Sequence, residues 1–262
     1  MWQRLPAWLR AVLTGLFVAG VPTFVWALLA TVNLKMTPRV PWSVAVMAGL
    51  LWLYWRYVRS DERARAKPLT PYVWRLALLA GGSGIAAIWA AFAAFSGVLH
   101  VTPPGGDLLK FPVWTILGAL VMGSAVAGVA EETGFRGFMQ LPLERAYGPI
   151  AAIATTSIIF TLIHLTHGKA VLPFLPFYLV AAVIYSFLPL LTGSIFPSMT
   201  LHFAGDVLMF TIQYLTIRLA PGGTGQSGSI APVPIVVMVI LGATSVLLFR
   251  LLARNTHAMA IA

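Results

Sequence analysis

Long apolar runs, separated by short polar or Gly/Pro-marked stretches, dominate the chain, and none alternates apolar and polar positions as a half-buried strand would. A helix needs about 20 apolar residues to cross a bilayer. Runs suited to that task lie near residues 8 to 33, 41 to 57, 75 to 99, 113 to 140, 149 to 166, 173 to 191, 194 to 217 and 231 to 253. The pattern therefore predicts an all-α fold, a polytopic membrane helix bundle with about eight transmembrane helices. Tyr147-Gly148-Pro149 reads as the turn of a helical hairpin, Thr192-Gly193 as a short break, and Pro221 to Ser229 as a loop by its Gly/Ser/Pro composition. No solenoid-period repeat interrupts this, so residues 1–262 are expected to form a single membrane domain.

Composition agrees with the pattern. Hydrophobic residues make up 59% of the chain and charged ones 9%, against roughly a quarter charged in soluble domains. The formal net charge of +10 raises nucleic acid as a partner, but the basic residues flank apolar spans, where they set orientation and touch anionic lipid. No nucleic-acid partner is expected; membrane lipids are. With the N-terminus inside, the inner side collects Arg4, Arg10, Arg56, Arg59, Arg63, Arg65, Lys67, Arg75, Arg136, Arg145, Arg250 and Arg254, and the outer side Lys35, Arg39, Lys110, Lys169 and Arg218. That bias predicts both termini cytoplasmic in a plasma (inner) membrane. The apolar stretch from Ala7 to Leu34 exceeds a cleavable signal core and reads as a retained first span. The absence of cysteine excludes thiol catalysis, disulfides and thiolate metal sites.

An ionisable group inside a span costs about 2.5 to 3.5 kcal/mol on insertion scales, so each one asks for a reason. Those that pass this filter are Glu131, Glu132 and Arg136 in the fourth span, His164 in the fifth, and His202 with Asp206 in the seventh. Adjacent residues of an α-helix point about 100° apart, so the two glutamates take different roles. Glu132 stands four residues before Arg136, the favoured order for an acid and a base on one helical face, and Glu131 is left to face elsewhere. Counted from the hairpin turn along unbroken α-helices, Glu131 and His164 come level, with Pro142 as a possible kink in the descending arm. His202 and Asp206 share one helical face, although the same counting places His202 shallower than Glu131. The three sets together suggest one wet cavity.

These residues resemble the CPBP family of membrane proteins (CAAX proteases and bacteriocin-processing proteins), which includes the type II CAAX prenyl endopeptidases. The family pattern Glu-Glu-x-x-x-Arg is met by Glu131, Glu132 and Arg136, Phe-x-x-x-His by Phe160 and His164, and His-x-x-x-Asn/Asp by His202 and Asp206. Phe135-Arg136-Gly137-Phe138, Tyr147-Gly148-Pro149 and Thr192-Gly193-Ser194 look like family surroundings. The resemblance covers roughly residues 113 to 217; the first three spans have only generic membrane character.

What the resemblance implies is an eight-helix intramembrane endopeptidase that cuts near the C-terminus of a hydrophobic or prenylated (CAAX-type) peptide. Glu131, assisted by His164, would deprotonate a water for attack on the peptide carbonyl, and His202 would stabilise the oxyanion. An ionised Asp206 cannot donate to an oxyanion, so it is either protonated or serves to orient His202. Glu132, Arg136 and Phe160 would be supporting residues. No cofactor is expected. The alternative is zinc held by Glu131, His164 and His202, with His167 as an extra ligand, though no His-Glu-x-x-His helix is present. The competing function is a non-catalytic membrane binding or bacteriocin-immunity protein of the same fold. A proton-coupled transporter would draw on the same buried Glu and His chemistry, but the sequence shows no pair of interrupted spans in matching halves, and Ser194 lacks the surroundings of an activated serine.

Overall fold

Apolar runs of this length satisfy their own backbone hydrogen bonds only as helices. A computed structural model of the chain describes residues 2–99, 106–219 and 230–261, and among them there are helices and turns and no strand. The loop expected at Pro221 to Ser229 lies outside the described residues. The main helices are α1 (Ala7–Met36), α2 (Trp42–Val58), α3 (Pro71–Leu99), α4 (Val113–Val126), α5 (Gln140–Tyr147), α6 (Pro149–Ile163), α7 (Leu175–Thr192), α8 (Phe196–Leu219) and α9 (Pro232–Ile261).

Between α4 and α5 the chain stays helical but changes type, with π-helix over Ala127–Glu131 and Thr133–Met139. One continuous run from Val113 to Tyr147 results. Among the described residues eight helical runs thus stand where eight apolar runs were read. Among the described residues six are long and apolar enough to cross a membrane by length and composition: α1, α3, the Val113–Tyr147 run, Pro149–His167, Lys169–Thr192 and α9. The other two are α2, with 17 residues, and α8, whose apolar character is diluted by His202, Asp206 and Gln213. The chain is a membrane protein.

The chain divides into two compact units. The first holds Met1–Ala66, Pro103–Pro142 and His202–Thr224. In it α1 and the second π segment cross closely: a β-carbon added at Gly134 would stand 2.5 Å from the Gly15 carbonyl oxygen and 2.7 Å from the Ala19 nitrogen. Small residues let helix backbones touch in this way, and in lipid such packing stands in for the missing hydrophobic drive. Met47, Leu51, Val126 and Ala130 form a buried cluster against Val25, Trp26 and Leu29. The turn from α1 to α2 is stapled by Asn33, whose side-chain amide donates to the Thr37 carbonyl at 2.9 Å and the Val40 carbonyl at 2.8 Å and whose oxygen accepts from the Ser43 N–H at 3.0 Å.

Beyond α2, Asp61 accepts from the backbone and the guanidinium of Arg63. That side-chain hydrogen bond holds the Asp61 carboxyl below the usual carboxylate range and pushes Arg63 up. The same guanidinium lies 4.6 Å from the ring centroid of Phe138, which belongs to the second π segment.

The second unit holds Lys67–Thr102, Leu143–Leu201 and Gly225–Ala262. Here α3 and α9 run antiparallel: the Ala231 N–H donates to the Ala94 carbonyl at 3.1 Å, and the Ser245 hydroxyl to the Ala80 carbonyl at 2.7 Å. Val73, Leu76, Ala77, Tyr185, Leu188 and Leu252 make its core. The hairpin turn read from the sequence falls at Gly148, whose φ of 83° favours glycine, with Pro149 opening α6. The break at Thr192 is likewise present: Gly193 closes α7 in the left-handed region at φ 68° and returns its N–H to the Pro189 carbonyl.

Candidate active site

A single turn of π-helix is often found at functional sites, because widening the coil re-aims side chains that an α-helix would space evenly. In the first unit the residues from Thr133 to Met139 are all buried, and the Thr133 hydroxyl donates to the Val129 carbonyl at 2.6 Å. Two corrections to the sequence reading follow. The count that set depths along unbroken α-helices does not hold here, because part of the Val113–Tyr147 run is π-helical. In addition, the shallower placement that counting gave His202 does not separate it from the glutamates: the two motifs meet directly.

Glu132 is fully buried, and its Oε1 lies 2.8 Å from His202 Nδ1 and 3.4 Å from Arg136 Nη1. Since an ionised carboxylate only accepts, Nδ1 is the donor in that bond. The other ring nitrogen, Nε2, lies 3.6 Å from Asp206 Oδ2, so the imidazole has a carboxylate against each nitrogen. Glu131 is half-buried, unlike its neighbour. The expected division between the glutamates is thus visible in their surroundings: one carboxylate is committed to Arg136, and the other stands outside that pair. The bond from Glu132 to His202 is a relation that spacing along the chain did not signal.

His164 and Phe160 belong to the second unit. Helix α6 ends at Ile163, and His164 opens a short 3-10 segment to His167. The His164 Nδ1–H donates to the Phe160 carbonyl at 2.8 Å, which explains the four-residue spacing of the Phe-x-x-x-His motif: the residue one helical turn back supplies the acceptor. In the neutral ring this fixes the tautomer, leaving Nε2 as the acceptor nitrogen. The Phe160 ring lies 4.8 Å from the imidazole centroid, and Tyr178 of α7 stacks on it at 4.1 Å. Tyr178 was missed from the sequence, where one tyrosine in an apolar span carries no distinguishing mark. His167, the extra ligand candidate, sits 5.6 Å from His164 edge to face and is exposed.

Among the described residues no group of three or more His, Cys, Asp or Glu side chains is arranged to hold a metal ion, and no step below is routed through one.

Residues 112–208 match the family described as Type II CAAX prenyl endopeptidase Rce1-like. The matched stretch contains Glu131, Glu132, Arg136, Phe160, His164, His202 and Asp206, and leaves α1, α2, α3 and α9 outside. No curated protein and no solved structure matches the chain.

Proposed function

We propose, from the match of residues 112–208 to the family described as Type II CAAX prenyl endopeptidase Rce1-like, that the chain is a CAAX-type membrane endopeptidase and hydrolyses a peptide bond near the C-terminus of a hydrophobic or prenylated peptide, using a water activated by Glu131. The observation that carries this reading is the commitment of Glu132 to His202 and Arg136. In this reading Glu132 does structural work, and the half-buried Glu131 is the carboxylate that meets water.

In this reading Glu131 takes a proton from water as the hydroxide adds to the scissile carbonyl. His164, held in one tautomer by Phe160 and in one ring plane by Tyr178, assists through Nε2, a role carried over from the family motif. When the His202 ring is doubly protonated, Nδ1–H stays on Glu132 and Nε2–H is the donor for the oxyanion, with Asp206 beside it. Collapse of the tetrahedral intermediate breaks the C–N bond, and the proton held by Glu131 passes to the leaving amine. Arg136 balances the buried charge of Glu132. The proposed setting is the plasma (inner) membrane with both termini cytoplasmic and the whole chain acting as one membrane domain.

The test is cleavage by the purified chain of a peptide panel differing only in prenylation and in C-terminal hydrophobicity. Release of a short C-terminal fragment supports the reading. Binding of these peptides without cleavage would instead favour a non-catalytic protein of the same fold.

A further inference from the structure

The second unit carries a groove that the chemistry above does not use. It has a volume of about 720 Å³ and lies between α3, α7 and α9, walled by residues such as Ile88, Phe177, Ile184, Phe187 and Phe249. Of its lining only Ser245 and Arg250 are polar, and the Ser245 hydroxyl is turned to the Ala80 carbonyl. Along α9 the lining runs from Met238 to Ala253, which at about 1.5 Å per residue is roughly 22 Å. One leaflet holds about 15 Å of hydrocarbon, so the groove is long enough for an acyl chain to lie within it across a leaflet.

One end of this apolar groove is cationic. The antiparallel register that joins Ala80 to Ser245, carried five residues further along both helices, sets Arg75 level with Arg250. Arg254 follows one turn later on α9. All three side chains are exposed, and among the described residues no carboxylate pairs with any of them. Exposed arginines beside an apolar slot answer a molecule with a long hydrocarbon chain and a phosphate at one end.

We propose that this groove is a binding site for one anionic phospholipid, its acyl chain between α7 and α9 and its phosphate at Arg250 and Arg75. Gly242 lines the groove, and a β-carbon there meets nothing within 4 Å, so the side chain of Gly242→Leu leaves the backbone unobstructed and extends into the slot.

The test is native mass spectrometry of the delipidated full chain titrated with phosphatidylglycerol or phosphatidylcholine. Wild type is expected to retain one phosphatidylglycerol about tenfold more tightly than phosphatidylcholine. Arg250→Gln should lower that preference about fivefold while sparing phosphatidylcholine, and Gly242→Leu should weaken both lipids. Equal affinity for the two lipids, or a preference untouched by Arg250→Gln, would overturn the proposal. Displacement of the lipid by a prenylated peptide, or a dimer abolished by Gly242→Leu, would overturn it too, by assigning the groove to substrate or to a second copy.

Discussion

Glu132 Oε1 and His202 Nδ1 lie 2.8 Å apart although 70 residues separate them in the chain. This bond unites the Glu-Glu-x-x-x-Arg and His-x-x-x-Asp motifs within one unit. Each motif alone reads as ordinary helix-packing polarity; joined, they form a buried acid, base and imidazole network whose members depend on one another.

Removing the shared acid should therefore cost the fold more than the chemistry. Glu132→Ala strips a carboxylate from buried Arg136 and from His202 at once; breaking one partner of a buried pair costs about 3–5 kcal/mol. Thermal unfolding in detergent should show a clear loss, partly recovered in Glu132→Gln/Arg136→Met, where neither charge remains.

Asp206 stands 3.6 Å from His202 Nε2, the nitrogen that the proposed mechanism offers to the oxyanion. An amide there can donate where an ionised carboxylate cannot. Asp206→Asn should keep most of the peptidase activity, whereas Asp206→Leu should lower kcat by about 10²–10³, the scale of losing oxyanion support.

Tyr178 is a positioning residue, acting through the imidazole it stacks upon. Tyr178→Leu should lower kcat about tenfold with little change in KM, the signature of an assisting imidazole held less well. Tyr178→Phe should restore the rate, since the ring face rather than the hydroxyl meets His164.

The Asp61–Arg63 pair gives a pH dependence of known sign. The folded Asp61 carboxyl titrates below its unfolded value, so its contribution is fully present above the unfolded pKa of about 3.9 and is lost as pH falls through the lower folded value. The pair is well exposed, so the effect is below about 1 kcal/mol. Wild type and Asp61→Asn should differ slightly in melting temperature above pH 4 and converge in stronger acid.

The sequence was most legible where the bilayer penalises polarity. A filter for ionisable groups inside apolar runs singled out Glu131, Glu132, Arg136, His164, His202 and Asp206, and glycine marked the turns at Gly148, where Pro149 follows, and at Gly193. The same filter passed over Asn33, an uncharged amide that staples α1 to α2. It could not register the π-helix from Ala127 to Met139, because apolar periodicity in a chain surrounded by lipid carries no helical phase. The contact of Gly15 with Gly134 was hidden for a related reason: it requires two distant small residues to face each other, and neither differs locally from any other glycine in a span.

The central claim is that Glu131, and not Glu132, activates the water. The most direct measurement is the cleavage rate of a prenylated peptide by purified wild type and Glu131→Gln, each with and without chelator, alongside their melting temperatures. The account predicts a rate loss of about 10²–10⁴ in Glu131→Gln, an unchanged melting temperature and no response to chelator. A variant that cleaves at the wild-type rate, or a wild type silenced by chelator, would contradict it.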